Sequence, residues 1–291
     1  MQDALQQNGM KENGLNALAS FLIFLLFAAM LLVLAGFSVC LAETAGNTVP
    51  GRGYFALLIG QSYEENSGLA DLAGCPADAL AVNAMLEQMT LTPFRTSRYT
   101  DLTAQEIREA IATVYRGATD HDICLFYYAG HGFASNNPAM RGAIVGTDGV
   151  LVTLDELLDL LDEWPGDKVI ILDSCYSGGL LSIIKRYEAE SGRGGHYVLC
   201  AAGSDERTQN IMDYTSGCSF GIFTESVLRA CGSYGLDSGA RQFPGDRNGD
   251  GAFTLSEVYY YAKAYMLKYT TAQHIQIYPR GSDFCLWACG R

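Results

Sequence analysis

Two hydrophobic runs in this chain end in the same way, and that shared ending restricts the fold more than any other feature. Lys168 to Leu172 stops at Asp173-Ser174-Cys175-Tyr176-Ser177-Gly178-Gly179, and Ile123 to Tyr128 stops at Ala129-Gly130-His131-Gly132. Short runs of branched and aromatic residues bounded by Gly and Ser read as buried strands that lead into tight loops. Each strand then presents a reactive side chain among small residues just past its carboxyl end. In open α/β sheets that edge is where ligands and chemistry are placed.

A Cys taken alone is most often a small buried hydrophobe. It becomes a nucleophile when a base within hydrogen-bond reach takes its proton. If the two strands are parallel neighbours, His131 and Cys175 face each other, His131 as base and Cys175 as nucleophile. Backbone N–H groups of Gly132 and Cys175 are then the candidate oxyanion hole for acyl transfer.

The rest of the chain supplies the layers such strands need. Strand patterns at Tyr54–Gly60, Ser97–Thr100 and Tyr197–Ala202 alternate with helical ones at Ala77–Met89, Thr103–Ala118, Leu154–Trp164 and Leu180–Glu190. Thr103-x-x-Glu106 is a capping box. A hairpin is expected over Ala143–Thr153 around Thr147-Asp148-Gly149. Helices follow at Ile222–Cys231 and Leu255–Tyr269, and strands at Ile275–Tyr278 and Phe284–Trp287 are expected to close the sheet. This alternation implies an α/β fold, a mostly parallel sheet with helices on both faces.

Phe126-Tyr127-Tyr128-Ala129-Gly130-His131-Gly132 and Asp173-Ser174-Cys175-Tyr176-Ser177-Gly178 resemble, in this order, the two signature motifs of the caspase-like cysteine peptidases, most nearly their metacaspase and bacterial branch. The resemblance covers about Tyr54 to the C-terminus and implies a three-layer αβα sandwich, the caspase-like fold. It also implies a substrate pocket. Asp173 stands next to the nucleophile, where a carboxylate attracts a basic side chain. Cys75-Pro76-Ala77-Asp78-Ala79 is similar to the segment in which metacaspases carry a second pocket acid. Asp78 and Asp173 together imply Arg or Lys at P1. Read without the resemblance, Asp78 could cap a helix start and Asp173 could hold its loop through backbone N–H groups. Ser204, at the same sheet edge, is a candidate pocket wall or part of an exposed acidic turn. Two departures stand out: Ala129 where many metacaspases have Ser, and Tyr176 where many have His.

Residues 1–14 are polar and 15–42 are apolar, with no charge from Ala17 to Ala42. That stretch is long enough to span a bilayer, or to be cleaved as a signal peptide before Glu43. Residues 43–53 read as a linker and 54–291 as the peptidase-like domain. Either use of the apolar segment expects a membrane-anchored or secreted protein with an extracytoplasmic domain. The formal net charge of −13 argues against a nucleic-acid partner. Of nine Cys, Cys218, Cys231, Cys285 and Cys289 are disulfide candidates in an exported protein.

Asp246 to Glu257 matches a twelve-position EF-hand loop (246–257). Asp246, Asn248 and Asp250 fall at positions 1, 3 and 5, Gly251 at 6, the Ala252 carbonyl at 7 and Glu257 at 12. That spacing expects a calcium site; the competing reading is a polar loop that caps the next helix. The functional expectation is a cysteine endopeptidase that cleaves after Arg or Lys, with calcium as its inorganic cofactor and no organic one. The alternatives are an inactive caspase-like binding or scaffold module and a calcium-dependent surface module.

Overall fold

The computed structural model describes residues 51–65, 68–212, 219–233 and 243–290. The apolar segment 15–42 and Cys218 lie outside them. Among the described residues no helix is long and apolar enough to cross a membrane.

Five strands form a parallel sheet: β1 (Tyr54–Gly60), β2 (Arg95–Thr100), β3 (Ile123–Ala129), β6 (Asp167–Asp173) and β7 (His196–Cys200). β11 (Gln276–Tyr278) adds an antiparallel edge to β7, giving the order β11-β7-β6-β3-β1-β2. Every residue of β1 and β3 is buried. These runs are apolar throughout because a parallel sheet is covered on both faces.

The two-residue period of the strands sorts the core into two layers. Tyr54, Ala56, Leu58, Leu125, Tyr127, Val169 and Ile171 face one way. They pack on α1 (Cys75–Glu87), α5 (Ile222–Ala230) and α6 (Leu255–Met266). Phe55, Leu57, Ile59, Phe126, Tyr128, Ile170 and Leu172 face the other way. They pack on α2 (Ala104–Val114), α3 (Leu154–Asp162) and α4 (Leu180–Ser191). The result is the αβα sandwich. Each fully buried Leu, Ile or Phe in it contributes about 1.5–3 kcal/mol. The capping box of Thr103 and Glu106 starts α2 as its spacing predicts.

The Ala143–Thr153 hairpin forms as β4 (Ile144–Val145) against β5 (Leu151–Val152). Phe284–Trp287 does not close the main sheet. Its strand, β12 (Cys285–Ala288), pairs instead with β10 (Ala252–Thr254), which lies inside the 246–257 loop. A second hairpin, β8 (Asn210–Met212) with β9 (Ser219–Gly221), has no periodic signal in the sequence. Cys231 and Cys285 are thiols, not disulfide partners; Cys231 sulfur accepts the indole N–H of Trp287.

β1 has β2 on one side and β3 on the other, so the winding direction reverses there. The crevice outside the carboxyl ends of β1 and β3 is the expected ligand position in such a sheet.

Candidate active site

β3 and β6 are adjacent and parallel, and the last residues of the two strands, Ala129 and Asp173, are register partners. His131 and Cys175 each follow two residues later, so the sheet carries both to one edge. The loops then touch. A β-carbon on Gly132 would overlap the Cys175 carbonyl oxygen and lie 3.0 Å from the Cys175 nitrogen. Only glycine allows the His-bearing loop this close to the nucleophile, which is why a glycine flanks His131.

The imidazole is oriented by groups from the β1 side. His131 Nε2 lies 2.7 Å from the Ala70 carbonyl. A carbonyl only accepts, so Nε2 carries the hydrogen and the neutral ring keeps Nδ1 as its basic nitrogen. The Tyr63 ring lies 4.5 Å from the His131 ring, centroid to centroid, at 36°. Tyr63 hydroxyl accepts the His131 backbone N–H at 3.0 Å and donates to the Val145 carbonyl at 2.9 Å. Burial pushes the Tyr63 phenol upward, so it stays protonated. Tyr63 and Ala70 hold the base, and neither carries a sequence signal.

The thiol is held from another direction. Cys175 Sγ accepts the backbone N–H of Thr208 at 3.3 Å and lies 3.4 Å from its hydroxyl. Tyr176 takes a left-handed backbone, φ 62°, a strained choice for a residue with a β-carbon. The turn is fastened by its N–H on the Glu206 carbonyl at 2.8 Å.

Beside the nucleophile the two candidate pocket acids converge. Asp173 is buried and accepts the Thr224 hydroxyl at 2.7 Å and the Thr224 N–H at 3.2 Å. Asp78, also buried, accepts the Gly221 N–H at 3.1 Å. A β-carbon on Gly221 would overlap Asp173 Oδ2 and lie 3.3 Å from Asp78 Oδ2. Burial raises the Asp173 carboxyl to about 6. Burial, then the neighbouring Asp173, drives Asp78 well above the usual carboxylate range. Asp78 does not cap α1; Gly74 occupies that position. Among the described residues no Lys, Arg or His pairs with either acid.

Ser204 opens the segment that leads to Thr208. It borders a groove of about 600 Å³ together with Asn137, Arg141, Ser182 and Arg186. None of His131, Cys175, Asp78 or Asp173 lines that groove, and a cavity without a nucleophile is not the reacting centre.

The 246–257 loop satisfies its own oxygens. Asp246 accepts the N–H groups of Gly249, Asp250 and Gly251 at 2.8, 3.1 and 3.0 Å. Asn248 accepts from Asp250 at 3.0 Å, and Asp250 accepts from Ala252 at 2.8 Å. Glu257 forms a capping box with Thr254 at the start of α6 and also takes the Arg247 N–H at 3.2 Å. The donors have calcium's chemistry, carboxylate, amide and carbonyl oxygens. In this conformation, however, no three His, Cys, Asp or Glu are grouped to hold a metal among the described residues.

Comparisons with known proteins agree with this architecture. The profile of the family described as Caspase domain matches residues 54–247. Metacaspase-4 of Arabidopsis thaliana is 32% identical over 155 residues, 47% of this chain and 36% of that protein. Metacaspase-6 of the same plant is 32% identical, with 47% of this chain and 41% of that protein covered. The match thus spans well under half the length of these curated relatives. The crystal structure of a Geobacter sulfurreducens protein shares the fold. Its TM-score is 0.51 at 17% identity, covering 78% of this chain and 92% of that one. The matched profile runs from the first strand of the sheet through both motif-bearing loops, and the chain belongs to the caspase-domain family of peptidases.

Proposed function

We propose that this protein is a cysteine endopeptidase that hydrolyses peptide bonds after Arg or Lys, with His131 and Cys175 as its dyad. The observation that carries the specificity is the pair of buried acids, Asp78 and Asp173, beside the nucleophile without a cationic partner. A guanidinium or ammonium from the substrate supplies the missing charge, and a guanidinium can pair bidentately. A substrate Asp would add a third negative charge.

His131 Nδ1 accepts the Cys175 proton, and the thiolate attacks the peptide carbonyl to form a C–S bond. The tetrahedral oxyanion lies against the N–H groups of Gly132 and Cys175, each worth about 3 kcal/mol. The C–N bond breaks as His131 returns the proton to the leaving amine. Water, deprotonated by His131, then hydrolyses the thioester and restores the thiol. Through all steps the Ala70 carbonyl keeps Nε2 as the donor side of the ring.

The test is a set of fluorogenic peptides with Arg, Lys, Asp or Leu at P1. Turnover should rank Arg above Lys, with none for Asp, and Cys175→Ala and His131→Ala should abolish it. Preference for Asp or Leu overturns the pocket. No turnover on any peptide, with the thiol intact, leaves the inactive binding module as the reading.

Calcium enters the proposal through the 246–257 loop, where Asp246, Asn248, Asp250, the Ala252 carbonyl and Glu257 would hold it. Bound there, it would stabilise the folded state by mass action. A melting temperature that stays the same between chelator and millimolar calcium rules this out. Residues 15–42 carry the proposal of export or membrane anchoring, and N-terminal sequencing of membrane and soluble fractions tests it.

A further inference from the structure

The segment from Ser204 to Gln209 crosses the nucleophile and is fastened at several points. Arg141 pairs with Asp205. Glu206 accepts from His274 Nδ1 at 2.6 Å and from its backbone N–H at 2.8 Å. Arg207 Nε donates to the Tyr176 hydroxyl at 3.1 Å, and Gln209 N–H donates to Gln273 Oε1 at 2.8 Å. Tyr176 N–H on the Glu206 carbonyl ties the segment to the nucleophile loop itself. Thr208 is therefore held in place from both sides, and what it presents to Cys175 Sγ is a backbone N–H and a hydroxyl.

From this geometry we propose that Thr208 is a catalytic residue: its hydroxyl, alongside its N–H, donates to Cys175 Sγ and holds the sulfur as the thiolate that attacks the substrate. The inference rests on Cys175 being the nucleophile of the proposed reaction. Two donors suit an anionic sulfur better than a neutral thiol, since hydrogen bonds to a charged acceptor are about twice as strong as neutral ones. The proton released goes to His131 Nδ1, so no other acceptor is required. The backbone N–H is present in any non-proline variant, and the hydroxyl is the part a substitution can remove. Arg207 on the crossing segment and Cys75 on α1 interact electrostatically with this sulfur, and His131 follows the strand paired with its own. None is altered by a change at Thr208.

The test compares the parent with Thr208→Val, which keeps the shape and removes the hydroxyl, and Thr208→Ser, which restores it. The readout is the rate of iodoacetamide alkylation at Cys175, followed by mass spectrometry between pH 5.5 and 9, with melting curves to verify folding. Thr208→Val should alkylate about tenfold more slowly at pH 6, with the gap closing by pH 9. Thr208→Ser should match the parent, and peptide turnover should follow the same order. Equal or faster alkylation of Thr208→Val at pH 6 overturns the proposal, because the hydroxyl would then be neutral toward the sulfur or shield it. Alkylation does not depend on peptide hydrolysis. A parent that hydrolyses no peptide while Thr208→Val still slows alkylation would defeat the peptidase reading, and with it a catalytic role, while upholding the hydroxyl's hold on the thiolate. Should Thr208→Val fail to fold, Thr208→Ala replaces it with the same expectation.

Discussion

Two pairs of acids lie at opposite ends of this sheet, one half-buried around an enclosed histidine and one fully buried, and they are neutralised differently. At the amino end of β7, His196 is fully enclosed, with 0% side-chain exposure, between Asp162 and Glu188. Nε2 is 3.0 Å from Asp162 and Nδ1 is 2.8 Å from Glu188. Burial alone would lower its proton affinity, but the two carboxylate hydrogen bonds outweigh it and raise it. At the carboxyl end, Asp78 and Asp173 are themselves buried and receive only N–H and O–H donors. One group carries its own cation and joins α3, α4 and β7. The other lacks a cation, and burial, with no counter-charge to oppose it, shifts its carboxyl groups upward. Such a pair is costly to the fold and useful to a binding site, since an incoming cation relieves the repulsion. The difference separates a structural charge cluster from a ligand site within one protein.

That contrast can be broken first at its structural end. His196→Ala should destabilise the domain by about 3 kcal/mol, because it removes an enclosed imidazole from between two half-buried carboxylates that lose its hydrogen bonds. Denaturant unfolding at pH 7 measures it, and a loss below about 1 kcal/mol would show that the cluster is not an ion pair.

The opposite sign is expected at the other end. Asp173→Asn should stabilise the protein at pH 8 by on the order of 3 kcal/mol, the cost of holding a carboxyl with a folded value of about 6 against an unfolded value of about 3.9. The same variant should lose most of its turnover on Arg substrates, and Asp78→Asn should lose less. Stability and activity moving together under Asp173→Asn would contradict the pocket.

The pH dependence sharpens both ends. A raised carboxyl or imidazole contributes stability that is fully present below its unfolded value and disappears as pH rises through its folded one. For Asp173 that window is about 4 to 6. For His196 it begins near 6.5 and extends above it. Melting temperature should therefore fall as pH is raised from 5 to 8, and Asp173→Asn should flatten the lower part of the curve. A melting temperature that rises across this range in the parent would show that other groups dominate.

The smallest effect separates a cap from a metal ligand. Glu257→Ala in chelator should cost about 1 kcal/mol, the worth of a capping interaction, because Glu257 closes the Thr254 box whether or not calcium binds. If the variant loses stability only when calcium is present, Glu257 acts as a ligand and not as a cap.

Local sequence determined the elements and their ends. The apolar runs 123–128 and 168–172, the Thr103 capping box and the helical spacing of 154–164 each encode burial within a few residues. The fold realises them as β3, β6, α2 and α3. The placement of His131 and Cys175 was legible for the same reason, as both lie two residues past strands whose ends pair. Only the tertiary structure decided what surrounds them. Tyr63 reaches the His131 backbone across 68 positions of sequence, Thr208 reaches Cys175 across 33, and Thr224 reaches Asp173 across 51. Strand β12 likewise left the main sheet for β10, a pairing between distant segments that hydrophobic periodicity does not carry. Periodicity records which side of a segment is buried. The partners on that side are set when packing and backbone hydrogen bonding are satisfied over the whole sheet at once.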